Sequence, residues 1–148
     1  MNNTYITAMI ESLEKKVAVL DDIINKNAEQ AALLKEEEFS FDKFDKNSEE
    51  KGVLIYRLER LDDGFESLYA KVKEELDANK AAYASEIRRM QDLIQCITDK
   101  SASIQAEEAR NKAALEGIFK NEREKLRNGR SGVKALKSYT QAMNFNKP

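Results

Sequence analysis

The feature that most constrains the fold is a narrow apolar stripe within residues 49–72. Large apolar residues recur there at alternating steps of four and three, at Leu54, Leu58, Leu61, Phe65, Leu68 and Val72. An α-helix completes a turn in about 3.6 residues, so these side chains lie along one face. Charged residues occupy most of the other faces. A stripe this narrow predicts packing against partner helices rather than burial in a broad globular core.

A second stripe precedes the first and predicts helix 1 over residues 4–37, with Asn3 or Thr4 as its N-cap. Its members recur at helical spacing, at Ile6, Met9, Leu13, Val17, Leu20, Ile24, Ala28, Ala31 and Leu34. Because the inward residues shrink to alanine at positions 28 and 31, we expect a neighbouring helix to approach closely there.

Residues 38–48 interrupt the helical pattern with turn-forming and cap-forming residues. Asn47, with Glu50 three positions later, is typical of a capping box and predicts that helix 2 covers about 47–77. We expect the three phenylalanines of this stretch, Phe39, Phe41 and Phe44, to form an apolar lid over the junction of the two helices.

The inward stripe continues beyond Val72 to Leu76, weakens at residues 77–80, and then resumes at Tyr83, Ile87, Met90, Ile94, Ile97 and Ile104. We predict a turn here and a helix 3 over about 80–128. No glycine or proline supports this turn, so one unbroken helix over about 47–100 is the alternative. Gly129 and Gly132 mark the clearest break in the chain and predict a flexible tail over 129–148.

These patterns predict a single all-α domain over residues 1–148. The expected architecture is an elongated antiparallel helical hairpin or a three-helix coiled-coil bundle, with a short C-terminal amphipathic segment. Charged residues make up 35% of the chain and hydrophobic residues 41%, with one proline and no tryptophan. That composition is typical of long helices and coiled coils.

Several classes of chemistry have no support in the sequence. The chain contains no histidine and no Gly-rich phosphate loop, and its acidic residues lack the spacing of a known cation-binding loop. We therefore expect no enzyme activity, no metal and no cofactor. The single cysteine, Cys96, lies among apolar residues and is expected to be a buried filler. No apolar run is long enough to span a bilayer or serve as a signal peptide, so we expect a cytoplasmic protein without membrane insertion.

The charge of the chain is unevenly distributed. Residues 110–148 carry ten Lys or Arg and three Glu, a net charge of +7, whereas residues 1–109 carry 15 bases and 24 acids, a net charge of −9. The basic region indicates either an intramolecular contact or an acidic partner. A nucleic acid is the alternative partner, but we do not expect one, because only Phe119, Tyr139 and Phe145 are available there to stack on bases.

Three stretches of the chain together resemble one protein family. The first comprises EKGVLI at 50–55, RLERLDDGFE at 57–66 and LY at 68–69; the second comprises ITDK at 97–100 and IQAEEARNK at 104–112; the third comprises GR at 129–130, KALKSY at 134–139 and Met143. In this order they resemble the flagellar export chaperones of the FlgN type. The pair formed by residues 50–55 and 61–65 is the most distinctive part.

The resemblance implies a cytosolic, all-helical chaperone for the hook-associated proteins that form the hook–filament junction. Such chaperones hold the aggregation-prone terminal helix of an unassembled substrate and deliver it to the flagellar export gate. Family members carry a tyrosine near the C-terminus that takes part in docking at the gate. Tyr139 is the best match to it, and an ordinary apolar contact is the alternative role for this residue.

A substrate that folds on binding would lay its apolar face into a groove between helices. We predict that apolar residues beyond Ile104 make these contacts, namely Leu115, Ile118, Phe119, Leu126, Val133, Leu136, Tyr139 and Met143. The alternative is that these residues complete the third helix of the bundle, and for Leu115 and Ile118 we favour that alternative. Two further functions stay open, a secretion-machinery coiled coil that binds the export ATPase and a structural coiled coil. A homodimer also stays open.

Overall fold

The computed structural model describes residues 3–128, which form three α-helices and no strand: α1 (Thr4–Leu34), α2 (Phe41–Ala78) and α3 (Ala84–Asn128). The helices pack against one another, so the all-α bundle prediction is confirmed. The chain divides into two compact units, Met1–Ala109 and Arg110–Pro148. The packing described below is that of the first unit. The predicted single domain stays a prediction, and the predicted flexible tail over 129–148 lies outside the described residues.

The N-terminus of α1 is capped as the sequence predicts. The Asn3 side-chain oxygen accepts hydrogen bonds from the backbone N–H groups of Tyr5 at 2.9 Å and Ile6 at 3.3 Å, two of the groups that a helix start leaves without internal partners. The helix ends at Leu34, earlier than the predicted end at 37, where the N–H of Lys35 turns back to the carbonyls of the preceding turn. The acidic residues 36–38 therefore lie in the connection between α1 and α2.

The predicted start of helix 2 at Asn47 is wrong, because α2 begins at Phe41. Its N-cap is Ser40, whose Oγ accepts a hydrogen bond from the Lys43 N–H at 3.2 Å. Asn47 lies inside α2, is only 4% exposed, and donates from Nδ2 to the Lys26 carbonyl on α1 at 3.0 Å. Serine and asparagine both cap helices well. The Asn47 side chain does not cap α2 because it is hydrogen-bonded to α1.

The three phenylalanines form a small aromatic cluster beside the connection of α1 and α2. The Phe39 ring lies edge-on to Phe41, with 4.8 Å between ring centroids, and 5.7 Å from the Phe44 ring. Phe41 remains 43% exposed, so the rings cover the junction only in part.

The structure resolves the alternative at residues 77–80 in favour of two separate helices. Helix α2 ends at Ala78, and the Asn79 side chain donates to the Glu75 carbonyl at 3.1 Å, satisfying a carbonyl that the helix end leaves free. Helix α3 starts at Ala84, slightly later than the predicted position of about 80. The residue before it, Tyr83, is 1% exposed and anchors the turn in the core.

Polar contacts between the helices establish their directions. As residue numbers rise along α1, their partners on α2 fall, in the pairs Asn3–Glu75, Lys16–Asp62 and Lys26–Glu50. Partners of α1 on α3 rise instead, in the pairs Glu14–Arg89, Asp21–Lys100 and Asn27–Glu107. Helices α1 and α2 are therefore antiparallel, α1 and α3 are parallel, and the first unit is an up-down-up bundle.

Two apolar clusters form the core among the residues that the structure describes. The larger cluster draws on all three helices and the turn before α3, and its buried members are Ile6, Met9, Leu13, Leu20, Val72, Leu76, Tyr83, Met90, Leu93 and Ile97. The smaller comprises Val19, Ile23 and Leu54. Burying an aliphatic side chain of this size stabilises the fold by about 1.5–3 kcal/mol. Most of these residues belong to the stripes that the sequence shows.

Toward the C-terminal end of α1 the interior becomes polar. Asn27 and Gln30 are 1% and 3% exposed, whereas Ala28 is exposed, so the predicted inward alanine at 28 is wrong. Lys51 of α2 explains the difference, because its Nζ donates to the side-chain oxygens of Asn27 at 3.2 Å and Gln30 at 3.3 Å. The same ammonium pairs with Glu108 of α3 at 3.2 Å, so one cation links all three helices.

Candidate functional site

An open apolar groove lies in the first unit near the turn that joins α2 to α3. It has a volume of about 540 Å³ and is lined by Met9, Phe65, Tyr69, Leu76, Asp77, Lys80, Ile87, Met90, Gln91 and Ile94. Its size falls within the range of about 300–1,000 Å³ typical of ligand sites. Most lining residues are apolar, with polar side chains at Asp77, Lys80 and Gln91.

The floor of the groove consists of core side chains. Met9 of α1, Leu76 of α2 and Met90 of α3 are 1%, 7% and 7% exposed, so each helix contributes one residue. Methionine is unbranched and its thioether is polarisable, so it adapts to apolar partners of different shape. Two methionines in one floor therefore favour a site that accommodates a side-chain surface rather than one rigid ligand.

The α2 wall is aromatic. Phe65 and Tyr69 lie four residues apart on the helix, and their rings are nearly parallel, at 4° and with 6.5 Å between centroids. Phe65 is half-buried, while Tyr69 is 40% exposed at the rim. The stacked pair presents a flat apolar surface with a polar hydroxyl on Tyr69, the kind of side chain enriched where proteins meet.

The α3 wall carries the largest exposed aliphatic residue on the groove. The sequence places Ile94 in the inward stripe, but this side chain is 47% exposed. The reason is that α3 meets the core through Leu93 and Ile97, which are 6% and 8% exposed and turn Ile94 toward the opening. An exposed isoleucine beside an aromatic wall is suited to contact with another apolar surface.

A hydrogen-bonded carboxylate fixes the turn beside the groove. Tyr83 donates its hydroxyl to Glu75 Oε1 at 2.7 Å, and Asn3 Nδ2 donates to Glu75 Oε2 at 2.8 Å. The hydrogen bond to Glu75 is the main cause that raises the pKa of Tyr83 above its ordinary value of 10.0, and removal of its ring from water adds to it. One carboxylate thus ties the start of α1 to the end of α2 and the turn.

The groove carries few titratable side chains. Its titratable lining residues are Tyr69, Asp77 and Lys80, all exposed to solvent. Within residues 3–128 no cluster of three or more Cys, Asp or Glu side chains is arranged to hold a metal ion. Among the same residues, no helix combines the length and the apolar character needed to cross a bilayer.

The structure describes only half of the eight residues predicted to bind a partner. Four of them are on α3 and half-buried: Leu115, Ile118, Phe119 and Leu126. None of these four lines the groove or belongs to the two core clusters of the described residues. The other four, Val133, Leu136, Tyr139 and Met143, lie outside the described residues. Whether these eight contact a partner stays a prediction.

Sequence reasoning missed the groove but not all of its residues. Four of its lining residues belong to the predicted stripes and are expected there as ordinary core residues: Met9, Phe65, Ile87 and Met90. The available signal was Tyr69, which follows the stripe residue Leu68 and widens the apolar face of α2 on one side. A stripe widened by an aromatic residue indicates a face that extends beyond a two-helix contact.

The chain was compared with protein families, with curated proteins and with solved structures, and no match was found.

Proposed function

We propose that this protein is a cytosolic chaperone of flagellar type III export, which binds the terminal helix of a hook–filament junction protein and delivers it to the export gate. The observation that carries the proposal is the open apolar groove, in which Tyr69 and Ile94 remain 40% and 47% exposed beside a buried floor. The resemblance of residues 50–69, 97–112 and 129–143 to the FlgN-type chaperones gives the class of partner.

An amphipathic helix is the occupant best matched to this groove. Such a helix presents apolar side chains at positions i, i+3 or i+4 and i+7 along one face, and binds by inserting them between the helices of its partner. The groove offers an aromatic wall on α2 and an aliphatic wall on α3, with a deformable methionine floor between them. The resemblance implies an aggregation-prone terminal helix as the substrate, and the apolar face of such a helix would be covered in this groove.

The delivery step belongs to the basic C-terminal region in this proposal. Residues 110–148 carry a net charge of +7, which suits a contact with an acidic surface of the export machinery. Tyr139 is the residue that the resemblance assigns to gate docking. Substrate capture and gate docking would then use different parts of the chain.

Co-expression with hook–filament junction proteins, followed by size-exclusion chromatography with light scattering, tests the proposal. We expect a stable complex with the wild-type chain and loss of the complex with Ile94→Asp, because a carboxylate would have to be buried against the partner's apolar face. Ile55→Asp is the matched control, since Ile55 is also exposed on a helix, at 40%, but lies outside the groove. Equal retention of the partner by Ile94→Asp and Ile55→Asp would contradict the groove as the binding site.

Two further variants locate the contact if it lies elsewhere. Leu126→Asp tests the half-buried face of α3, and the double variant Leu136→Asp/Met143→Asp tests the C-terminal segment. Loss of the complex in these variants alone would place the substrate on the eight sequence-predicted residues. A chain that ignores junction proteins but binds the export ATPase would instead support the coiled-coil alternative.

A further inference from the structure

The part of α3 beyond residue 109 carries an apolar face that belongs to neither core cluster. Four half-buried side chains form it: Leu115, Ile118, Phe119 and Leu126. At about 100° per residue, they lie within roughly one third of the helix circumference. A face of this width is typical of a helix that packs against one neighbouring helix.

The chain that follows α3 is long enough to cover this face. The last residues of α3 and all residues after it belong to one compact unit, Arg110–Pro148. Two glycines bracket residues 129–132, a segment as short as the connections of about two to five residues that join antiparallel helices. As a helix, residues 133–148 would extend about 24 Å, close to the roughly 28 Å of α3 that belongs to this unit.

The apolar residues of this segment repeat the spacing of the face on α3. Leu136 and Met143 are seven residues apart, as are Phe119 and Leu126. Seven residues make about two helical turns, so the members of each pair lie on one side of their helix. A turn at 129–132 would bring Leu136 beside Leu126 and Met143 beside Phe119, because the members of each new pair are almost equally far from the turn.

A polar pair lies between the two apolar pairs in this arrangement. Glu122 is half-buried on the same face of α3, and its carboxylate pairs with Lys125 at 3.8 Å. Tyr139 would lie opposite Glu122 and can donate its hydroxyl to that carboxylate, as Tyr83 donates to Glu75 in the first unit. The two segments therefore share one order of contacts, apolar, polar and apolar.

We propose that residues 133–143 fold back as a helix and pack antiparallel on α3, so that the second unit is a helical hairpin. A lone helix of this length is marginal in water, and the apolar face of α3 supplies the contact that stabilises it. The residues predicted to bind a partner then contact one another in the free chain. A partner that uses them has to open the hairpin first. This inference concerns the free chain and does not rest on the proposed function.

The charge of the region distinguishes the hairpin from an electrostatic contact. Residues 110–148 carry a net charge of +7 and residues 1–109 a net charge of −9, so salt would weaken an attraction between the C-terminal segment and the first unit. The hairpin instead joins apolar residues within a region of like charge. Its contacts should persist at high salt, because screening reduces repulsion between its two helices.

Disulfide cross-linking of the full chain in a Cys96→Ala background tests the hairpin. Phe119→Cys/Met143→Cys and Leu126→Cys/Leu136→Cys should each form an intrachain disulfide, because the hairpin brings the paired α-carbons within bridging distance. Phe119→Cys/Leu136→Cys is the matched control. Its two positions lie about two turns, roughly 10 Å, apart along the hairpin and should not bridge.

A C-terminal segment without a preferred contact predicts the opposite order of rates. Position 119 is closer in sequence to 136 than to 143, so a freely moving segment would cross-link the control pair at least as fast. We expect the 119–143 pair to cross-link about tenfold faster than the control, at low and at high salt. Equal rates, or a 119–143 rate that falls as salt is added, would overturn the proposal.

A measurement without introduced cysteines tests the same contact. In the hairpin the Phe119 ring lies against the Met143 methyl group and shifts its NMR signal through the ring current. Phe119→Leu keeps an apolar side chain but removes the ring, so the Met143 signal should move while the Met9 and Met90 signals stay in place. A Met143 signal that does not respond to this substitution would contradict the proposed pairing.

Discussion

At the scale of single residues, Tyr83 connects more of the first unit than its position in a turn suggests. It is 1% exposed, belongs to the larger core cluster and donates its hydroxyl to Glu75, which also accepts from Asn3. The ring contributes apolar burial, while the hydroxyl orients a carboxylate that links α1 to the end of α2. One residue therefore supports both the core and the end of the groove.

The raised pKa of Tyr83 leads to a prediction about alkaline stability. A folded-state pKa above the ordinary value of 10.0 means that the folded protein holds this proton more tightly than the unfolded chain. Between the two pKa values unfolding releases a proton, so the stabilisation is present below pH 10 and is lost as the pH rises through the folded-state pKa. Thermal melts at increasing alkaline pH should show this loss in the wild-type chain.

The variant Tyr83→Phe supplies the control for that prediction. It keeps the buried ring but removes the titrating hydroxyl, so its melting temperature should be lower near neutral pH and should fall less steeply above pH 10. Lys26 and Lys100 also have raised pKa values, caused first by hydrogen bonds to Glu50 and Asp21, and they contribute a decline common to both proteins. Parallel alkaline declines in the two proteins would contradict the role assigned to Tyr83.

At the scale of elements, the two halves of α1 contact different surroundings: the N-terminal half packs in the apolar core, and the C-terminal half is buried among polar contacts. Ile6, Met9 and Leu13 lie in the larger core cluster, while Asn27 and Gln30 near the other end are buried among polar contacts. Polar groups in an interior specify their partners more strictly than apolar groups do, because an unsatisfied one is costly. We infer that the polar half fixes the register of the helices.

Lys51 is the residue on which this polar half depends. Lys51→Ala removes its hydrogen bonds to Asn27 and Gln30 and its ion pair with Glu108, and should lower the free energy of unfolding by about 1–3 kcal/mol. The exposed Lys73→Ala on the same helix should change it by less than about 0.5 kcal/mol. Chemical denaturation measures both, and equal effects would show that the Lys51 contacts do not stabilise the bundle.

The glycine in α3 tests how far helix propensity limits stability. Gly117 lies inside α3, and a β-carbon added there would meet nothing within 4 Å. Gly117→Ala should therefore raise the helix content and stabilise α3 by about 0.5–1 kcal/mol. Circular dichroism during thermal unfolding would detect the gain. A loss of helix content on substitution would mean that glycine is needed at this position.

The helices could be predicted from the sequence because their apolar stripes repeat at helical spacing, but the groove could not. Choosing Ser40 over Asn47 as the cap of α2 depends on α1, which takes up the Asn47 side chain. The exposure of Ile94 depends on the rotation of α3 about its own axis. In the described part of the chain, α1 and α2 have the most extensive backbone contact. The opening of the groove also depends on α3, which supplies Ile87, Met90 and Ile94 to its lining.

At the scale of the whole molecule, the proposal separates substrate capture from delivery along the chain. The groove lies in the first unit, which carries the acidic excess, while the basic residues concentrate at 110–148. Leu115, Ile118, Phe119 and Leu126 remain a second predicted contact surface on α3. A binding measurement that reports at once on the groove and on the C-terminal segment of the predicted contacts distinguishes the two.

Methionine provides such a measurement, because the chain has four: Met9 and Met90 line the groove, Met143 belongs to the predicted C-terminal contacts, and Met1 is the fourth. Isotope-labelled methionine methyl groups can be followed by NMR while the terminal helix of a hook–filament junction protein is titrated in. The groove account predicts saturable shifts of the Met9 and Met90 methyl signals, abolished by Ile94→Asp. Shifts confined to Met143, with Met9 and Met90 unchanged at saturation, would contradict it.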